Sequence, residues 1–266
     1  MRFENKVAIV TAAANGIGKA TAKILAREGA RLVAVDINPD ALANLTKEIE
    51  KEGGNINPFE TNVLEDDQVQ ALVDSVVGRF NKIDILVNAV GGSSIIPNSR
   101  ASVDNLSSSD WDRIVHFNLT GTFLCTSAVI SQMKKQGHGK IVNLSSDAAH
   151  GGNLMGDPSS AYVAAKAGIR AFTKKVAREA GPYGITCNAI APSVTLSERV
   201  GPRWEQRSEE NKQQLLEAIA FKPNLARRLM YNMPWPSFYL WRRCGIKPQY
   251  YFRRINRKLN INSNLP

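Results

Sequence analysis

Short apolar runs alternate with longer stretches of helical periodicity over most of the chain. Between the runs, apolar residues recur at positions i, i+3 and i+4, which is the spacing of an amphipathic helix. Strands that are apolar on both faces and alternate with helices predict an α/β fold with a doubly wound, Rossmann-like parallel sheet. The runs predicted as strands are Lys6–Thr11, Arg31–Asp36, Ile56–Val63, Ile83–Asn88, Lys140–Ser145 and Ile185–Ile190.

Length and composition indicate a globular protein without a disulfide framework. The chain has 266 residues, of which 22% are charged and three are cysteines. Few, widely separated cysteines fit a reducing compartment, and the three histidines form no ligand pattern with cysteines or carboxylates. No apolar stretch is expected to reach the length of a membrane span. We therefore predict a cytoplasmic protein without a metal site.

The net charge of +10 comes entirely from the end of the chain. Residues 1–220 contain 24 basic and 24 acidic side chains, whereas residues 221–266 contain 10 basic side chains and no acidic ones. Nine of the 19 aromatic residues also lie in those last 46 positions. We therefore divide the chain into a balanced body, residues 1–220, and an atypical basic and aromatic tail, residues 221–266.

A glycine-containing turn follows the first predicted strand. Gly16 and Gly18 stand between that strand and a helical pattern, where a helix N-terminus attracts a pyrophosphate through its free N–H groups. The next strand ends at Asp36, whose carboxylate can accept hydrogen bonds from the adenosine ribose or can cap a turn. A carboxylate there repels a 2′-phosphate. The pattern therefore predicts a dinucleotide site that prefers NAD over NADP.

These motifs, with those that follow along residues 3–200, resemble the classical short-chain dehydrogenase/reductase family. The family's Thr-Gly-x-x-x-Gly-x-Gly appears as Thr11 to Gly18, with Ala12 in place of the first glycine. If that turn requires a positive φ, Ala12 strains it. The resemblance implies an NAD-binding site and contributes the following cofactor-binding residues: Thr11, Asn15, Gly16, Ile17, Gly18, Asp36, Asn62, Val63, Asn88, Tyr162, Lys166, Pro192 and Thr195.

The resemblance also implies a catalytic set of Asn118, Ser146, Tyr162 and Lys166. Residues four apart share a helix face, so the Lys166 ammonium can stand beside the Tyr162 phenol and lower its pKa. The resemblance implies that Tyr162 transfers a proton to or from the substrate oxygen and that Ser146 donates a hydrogen bond to that oxygen. It also implies that Asn118 anchors a water molecule of the proton relay. Taken singly, each of these residues also fits a structural role at a helix, strand end or turn.

Two later segments are expected to border the substrate. The interval from Ser146 to Tyr162 is 16 residues, longer than is common in the family, and residues 151–158 form a longer loop that includes Leu154 and Met155. After the sixth strand, Pro192 is expected to turn the chain over the nicotinamide. Residues 196–220 are similar to the family's helical lid.

The family's last helix and last strand have no counterpart in residues 221–266. Three interpretations of this tail remain open: a nucleic-acid-binding segment, a membrane-surface segment, and an out-of-frame translation of a normal family C-terminus. Back-translation of Leu229–Leu240 in a shifted frame permits a string that resembles the family's last helix. We favour the out-of-frame interpretation, which predicts neither nucleic acid nor membrane as a partner.

The resemblance implies an oxidoreductase that transfers a hydride between NAD(H) and a secondary alcohol or ketone, with a 3-oxoacyl thioester as one candidate substrate. The alternatives are a nucleotide-binding protein with impaired catalysis and a binding module directed by its basic tail. The family implies a homo-oligomer, and the missing last strand argues against one.

Overall fold

The computed structural model describes residues 1–150, 158–193, 195–198 and 200–220. These residues form one six-stranded parallel sheet with helices packed against it. Its strand order is β3-β2-β1-β4-β5-β6, and all pairs are parallel. The order reverses between β1 and β4, which creates a crevice at the carboxyl ends of these strands. The predicted Rossmann-like fold is confirmed. The strands are β1 Val7–Thr11, β2 Arg31–Asp36, β3 Asn55–Glu60, β4 Ile85–Asn88, β5 Gly139–Leu144 and β6 Ile185–Ile190.

Helices follow the strands and cover both faces of the sheet. A short π-helical segment, His116–Thr120, joins the fourth helix to the fifth. Asn38 caps the second helix by accepting a hydrogen bond from the Ala41 N–H, and a proline stands in that helix's first turn. The α-helices of the described residues are α1 Gly16–Arg27, α2 Pro39–Lys51, α3 Asp66–Phe80, α4 Ser108–Val115, α5 Gly121–Gln136, α6 Ser160–Ala180, α7 Gly201–Glu205 and α8 Glu209–Ala220.

Two strand boundaries differ from the prediction by more than one residue. β3 ends at Glu60 instead of Val63 because its neighbour β2 ends at Asp36, which pairs with Glu60, so the following residues have no strand to pair with. β4 begins at Ile85 instead of Ile83. Hydropathy alone does not show either limit, because Val63 and Ile83, which lie just outside the strands, are also buried apolar residues.

Alternate residues of each strand contribute to cores on opposite faces of the sheet. Val7 and Ile9 of β1 pack with side chains of α3 and α5, including Leu72 and Val129. Ala8 and Val10 of the same strand belong to a second cluster with residues of α1 and α2. Burial on both faces explains why the strands are continuously apolar in sequence.

A continuous helical stretch, Ser108–Gln136, is long and apolar enough to cross a membrane by the criteria of length and composition alone. The expectation that no stretch reaches that length was therefore wrong. The α5 part of this stretch has another reason to be apolar, because Cys125, Val129 and Met133 are buried in the core beside α3 and the sheet.

Residues Phe3–Leu215 form one compact unit, and a second unit begins at Leu216. Of the second unit, the structure describes the last residues of α8. The predicted loop at 151–158 lies outside the described residues except for Pro158, and so does the whole tail at 221–266. The boundary between a body of residues 1–220 and that tail stays a prediction.

Candidate active site

The turn between β1 and α1 allows two backbone segments to touch. A side chain at Gly18 would overlap the carbonyl oxygen of Ala12, so this position accepts only glycine. Gly16 has a φ of +55° and begins α1. Ala12 itself has a φ of 48°, in the left-handed region that favours glycine. The turn therefore requires the positive φ that the family's first glycine would supply at no steric cost.

The N-terminus of α1 faces an anionic side chain. Asn15 makes no side-chain cap, and the first turn of α1 contains no acidic residue. The Gly16 N–H instead donates to Oε2 of Glu198, which lies 182 residues away in sequence, at 3.0 Å. A carboxylate thus occupies a position where a helix N-terminus binds phosphate groups. This contact shows that the cradle accepts an anion, and its residues fit the pyrophosphate of a dinucleotide.

Asp36 is fixed at the end of β2 by two backbone groups. Its Oδ2 accepts from the Ala14 N–H at 3.0 Å and its Oδ1 accepts from the Asn38 N–H at 3.1 Å. The next residue, Ile37, is exposed and uncharged. The carboxylate is therefore oriented toward the glycine turn, with no cation at the adjacent position.

Asn62 and Val63 form the wall after β3. The Asn62 Oδ1 accepts from the Leu64 N–H at 3.1 Å, and its backbone N–H donates to Gln68 Oε1 at 2.9 Å. These bonds fix the chain after β3, and both Asn62 and Val63 line the cavity.

Thr11 and Asn88 lie behind the cavity wall. The Thr11 hydroxyl oxygen accepts from the Ala89 N–H at 2.9 Å and so fixes the chain that follows β4. The Asn88 amide donates to Thr126 Oγ1 and Asn143 Oδ1 in a buried network. The structure therefore gives these two residues positioning contacts and does not place them among the lining residues.

Tyr162 and Lys166 stand one turn apart on α6 and both line the cavity. Lys166 is buried. Its Nζ donates a hydrogen bond to the Leu144 carbonyl at 2.8 Å and lies 5.7 Å from the centroid of the Tyr162 ring. A Cβ added to Gly91 would lie 2.6 Å from this Nζ, so glycine leaves the space that the ammonium needs.

Asn118 lies in the π-helical segment and is fully buried. Its Nδ2 donates to the carbonyls of Gly92 and Ile114, and its Oδ1 accepts from the Gly92 N–H at 3.0 Å. Asn118 Oδ1 and Lys166 Nζ both lie close to Gly91, at 2.8 and 2.6 Å from where a Cβ of this residue would stand. Asn118 therefore adjoins Lys166 without lining the cavity, and its role with water stays a prediction.

The two serines after β5 have different partners. The Ser145 hydroxyl donates to the Lys166 carbonyl at 2.8 Å and holds α6 against the strand end. The Ser146 Oγ accepts from the Ala148 N–H at 3.3 Å, and its hydroxyl donates to Asp147 Oδ1 at 3.4 Å. Both serines line the cavity, and the contacts of the Ser146 hydroxyl are longer than the bond that Ser145 makes.

A single cavity of about 790 Å³ joins these parts. Its volume is within the range of small-molecule and cofactor sites. Pro192 and Thr195 line it beyond β6, as expected, and the Pro192 carbonyl accepts from the Asp147 N–H at 3.1 Å. The predicted residues that line the cavity are Asn15, Gly16, Ile17, Gly18, Asp36, Asn62, Val63, Ser146, Tyr162, Lys166, Pro192 and Thr195.

Several lining residues were not predicted individually. Ser197, Glu198 and Arg207 lie within residues 196–220, the segment that was expected to border the substrate. Asp147 and Arg100 also line the cavity. No short-range sequence signal marks these single residues, because only the folded sheet brings their segments together.

The two cysteines in the described part of the chain, Cys125 and Cys187, do not line the cavity. Burial raises the pKa of the Cys125 thiol to about 12 and that of Cys187 to about 12, the latter against an opposing hydrogen bond with Asn143. Both are therefore unreactive thiols at neutral pH. Cys244 lies outside the described residues, and within the described part of the chain no group of three or more His, Cys, Asp or Glu could hold a metal ion.

Comparison with known proteins identifies the family. The model of the short chain dehydrogenase family matches residues 6–208. The chain belongs to the short-chain dehydrogenase/reductase family. It is therefore an oxidoreductase, its family uses NAD(P), and its relatives act on small molecules.

Individual relatives of this short-chain dehydrogenase/reductase differ in substrate. The chain is 37% identical to the 3-oxoacyl-acyl-carrier-protein reductase of Thermotoga maritima over 220 residues, which cover 82% of this chain and 84% of that one. It is 39% identical to the D-threitol dehydrogenase of Mycolicibacterium smegmatis over 204 residues, or 77% and 75% of the two chains. A solved structure of NAD+-bound xylitol dehydrogenase superposes with a TM-score of 0.67 at 36% identity, covering 73% of this chain and 72% of that one.

Proposed function

We propose that the protein transfers a hydride between NAD(H) and a secondary alcohol or ketone, with Tyr162 as the acid or base. The observation that carries this proposal is that Tyr162, Lys166 and Ser146 line the same cavity as the glycine turn and Asp36. A proton-transfer group and a dinucleotide cradle in one cavity are what the reaction requires.

Each side chain has a role in alcohol oxidation. The Lys166 ammonium favours the phenolate of Tyr162, which accepts the hydroxyl proton of the substrate. Ser146 donates a hydrogen bond to the substrate oxygen. NAD+, when bound in the cradle, would supply the acceptor for the hydride that leaves the substrate carbon with the electron pair of its C–H bond. The carbonyl product leaves, and the proton on Tyr162 passes to solvent; ketone reduction is the reverse.

Asp36 supports NAD over NADP as the cofactor. Its carboxylate is held by two backbone N–H groups at the ribose end of the cradle, and Ile37 offers no positive charge to a 2′-phosphate. The NAD+-bound state of the xylitol dehydrogenase relative agrees with this preference.

The test is an NADH-absorbance assay with a panel of ketones and 3-oxoacyl thioesters. We expect turnover by the wild-type protein and a loss of at least about 100-fold in Tyr162→Phe, which removes the acidic hydroxyl. Tyr183→Phe is the matched control, since Tyr183 is exposed beyond the end of α6 and does not line the cavity. Equal rates in wild type and Tyr162→Phe would contradict the mechanism. NADH binding without turnover of any substrate would favour the alternative, a nucleotide-binding protein with impaired catalysis.

The names of the relatives include a 3-oxoacyl-acyl-carrier-protein reductase and dehydrogenases of two sugar alcohols. Family membership alone therefore leaves the substrate class open, and residues of this chain's own cavity must decide it.

A further inference from the structure

A carboxylate lies directly beside the proposed proton-transfer site. Asp147 follows Ser146, begins a short 3-10 helical turn and lines the cavity. Its backbone N–H donates to the Pro192 carbonyl at 3.1 Å, which ties it to the turn beyond β6. The backbone of Asp147 is thus tied to a second segment that borders the cavity, and its side chain lies beside Ser146.

Asp147 and a substrate compete for the same hydrogen atom. The Ser146 hydroxyl has one hydrogen, and it is directed to Asp147 Oδ1 at 3.4 Å. To donate to a substrate oxygen, Ser146 must give up this contact. A simple ketone then leaves the carboxylate without that donor, and the lost contact opposes binding.

A substrate with a second hydroxyl can replace the lost donor. The reacting oxygen lies within hydrogen-bonding distance of Ser146 Oγ, and Oδ1 is only 3.4 Å from that Oγ. Oxygens on adjacent carbons can stand roughly 2.8 Å apart, about one hydrogen-bond length. A hydroxyl on the carbon next to the reacting carbon therefore reaches Oδ1 while the reacting oxygen stays on Ser146.

The surrounding cavity wall is also suited to hydroxyl groups. Ser93, Ser94 and Ser99 line it on the side of the loop that follows β4. A serine hydroxyl both donates and accepts, so this wall can bind further hydroxyls of a polyhydroxylated chain. A substrate with a carboxylate at the second carbon would instead meet the negative charge of Asp147.

We propose that Asp147 is a specificity-determining residue that selects substrates with a hydroxyl next to the reacting carbon, namely 1,2-diols and α-hydroxyketones such as sugar alcohols and ketoses. The proposal rests on the proposed hydride-transfer function and adds its substrate class. The chemistry of the reaction is unchanged, and Asp147 accepts a hydrogen bond without taking a proton.

The test compares two ketones that differ by one hydroxyl, 3-hydroxybutan-2-one and butan-2-one. For the wild-type protein we expect kcat/KM to be at least about tenfold higher for the hydroxyketone. In Asp147→Ala we expect kcat/KM to fall roughly 10- to 100-fold for the hydroxyketone, because a hydrogen bond to a charged group is lost. For butan-2-one it should rise, because Ser146 no longer has a competing acceptor.

Two controls separate recognition from a folding defect. 3-Methoxybutan-2-one, which cannot donate, should react with the wild-type protein no better than butan-2-one, and this comparison requires no variant. Asp74→Asn removes the charge of a carboxylate on α3 that does not line the cavity, and it should retain the wild-type ratio of the two rates.

The outcomes distinguish this inference from the function on which it rests. Equal wild-type kcat/KM for the two ketones, or equal losses for both in Asp147→Ala, would overturn the role of Asp147 and leave hydride transfer intact. Absence of turnover with every ketone in the wild-type protein would overturn the proposed function and this inference with it.

Discussion

At the scale of single residues, Ala12 is strained by its backbone conformation. Its φ of 48° costs an L-residue about 1–2 kcal/mol, whereas glycine adopts it freely. Glycine in turn adds about 0.5–1 kcal/mol of entropy to the unfolded state. We therefore expect Ala12→Gly to raise the free energy of unfolding by up to about 1 kcal/mol, measured by urea denaturation.

Ala14→Gly is the control for this prediction. Ala14 is a buried neighbour that is not among the described non-glycine residues with positive φ, so its replacement removes a packed methyl group without relieving strain. We expect this variant to be less stable than the wild-type protein. A decrease in stability of Ala12→Gly comparable to that of Ala14→Gly would show that the turn is not strained.

We expect the Asp36 carboxylate to determine the preference for NADH over NADPH. Asp36→Asn would place an amide NH2 against the Ala14 or Asn38 N–H, and it would remove the charge that repels a 2′-phosphate. We expect the dissociation constant for NADH to increase about tenfold and the preference over NADPH to shrink. Fluorescence titration with both cofactors measures this ratio, and an unchanged ratio would show that Asp36 does not select the cofactor.

At the scale of elements, α1 receives an anionic partner from the segment between β6 and α7. The Gly16 N–H donates to Glu198, and Ser197 Cβ would lie 3.5 Å from a Cβ at Gly16. A bound pyrophosphate needs the same N–H group. Cofactor binding must therefore displace this carboxylate.

We expect Glu198→Gln to lower the dissociation constant for NADH about twofold to tenfold, because a neutral amide competes less well than a carboxylate for the helix N-terminus. Titration at low ionic strength measures the change. Glu209→Gln, on an exposed position of α8, is the control. Weaker NADH binding by Glu198→Gln would show that this side chain supports the cofactor instead of competing with it.

The elements show why sequence predicts some parts of the site and not others. β1, β2 and their connecting helix are local in sequence, so their pattern predicts the turn at Gly16 and the carboxylate at Asp36. The contacts of Glu198 and Asp147 with the cavity depend on distant segments. The end of β3 likewise depends on where β2 ends. Such features follow from tertiary pairing, which no single stretch of residues encodes.

At the scale of the whole molecule, the net charge of +10 is distributed unequally between two parts of the chain. The body, residues 1–220, is balanced, and the family model ends its match at residue 208. We propose that residues 221–266 are an out-of-frame translation. The nucleotide sequence tests this directly: a shifted frame should encode the family's last helix and strand, and absence of both from the shifted frames would reject the idea.

Asp84 connects several segments at the end of the sheet opposite the cavity. Its carboxylate accepts from the Val7 N–H at 2.9 Å and pairs with Lys6, Lys82 and His138. The side chain is only 4% exposed. Burial acts to raise the pKa of Asp84, but the backbone hydrogen bond and the three basic side chains outweigh it and hold the pKa below its usual value near 3.8.

Because the folded protein binds this proton more weakly than the unfolded chain does, ionised Asp84 stabilises the fold. This stabilising contribution of Asp84 is present in full at pH values above its usual pKa of 3.8. It is lost as the pH falls from there through the lower pKa of the folded protein. We expect Asp84→Asn to lower the free energy of unfolding by about 1–3 kcal/mol at pH 7. Urea denaturation at pH 7, 5 and 3, with the exposed Asp74→Asn as control, should show the difference from wild type unchanged between pH 7 and 5 and smaller at pH 3. A difference that stays constant down to acid pH would mean that Asp84 acts through packing and not through its charge.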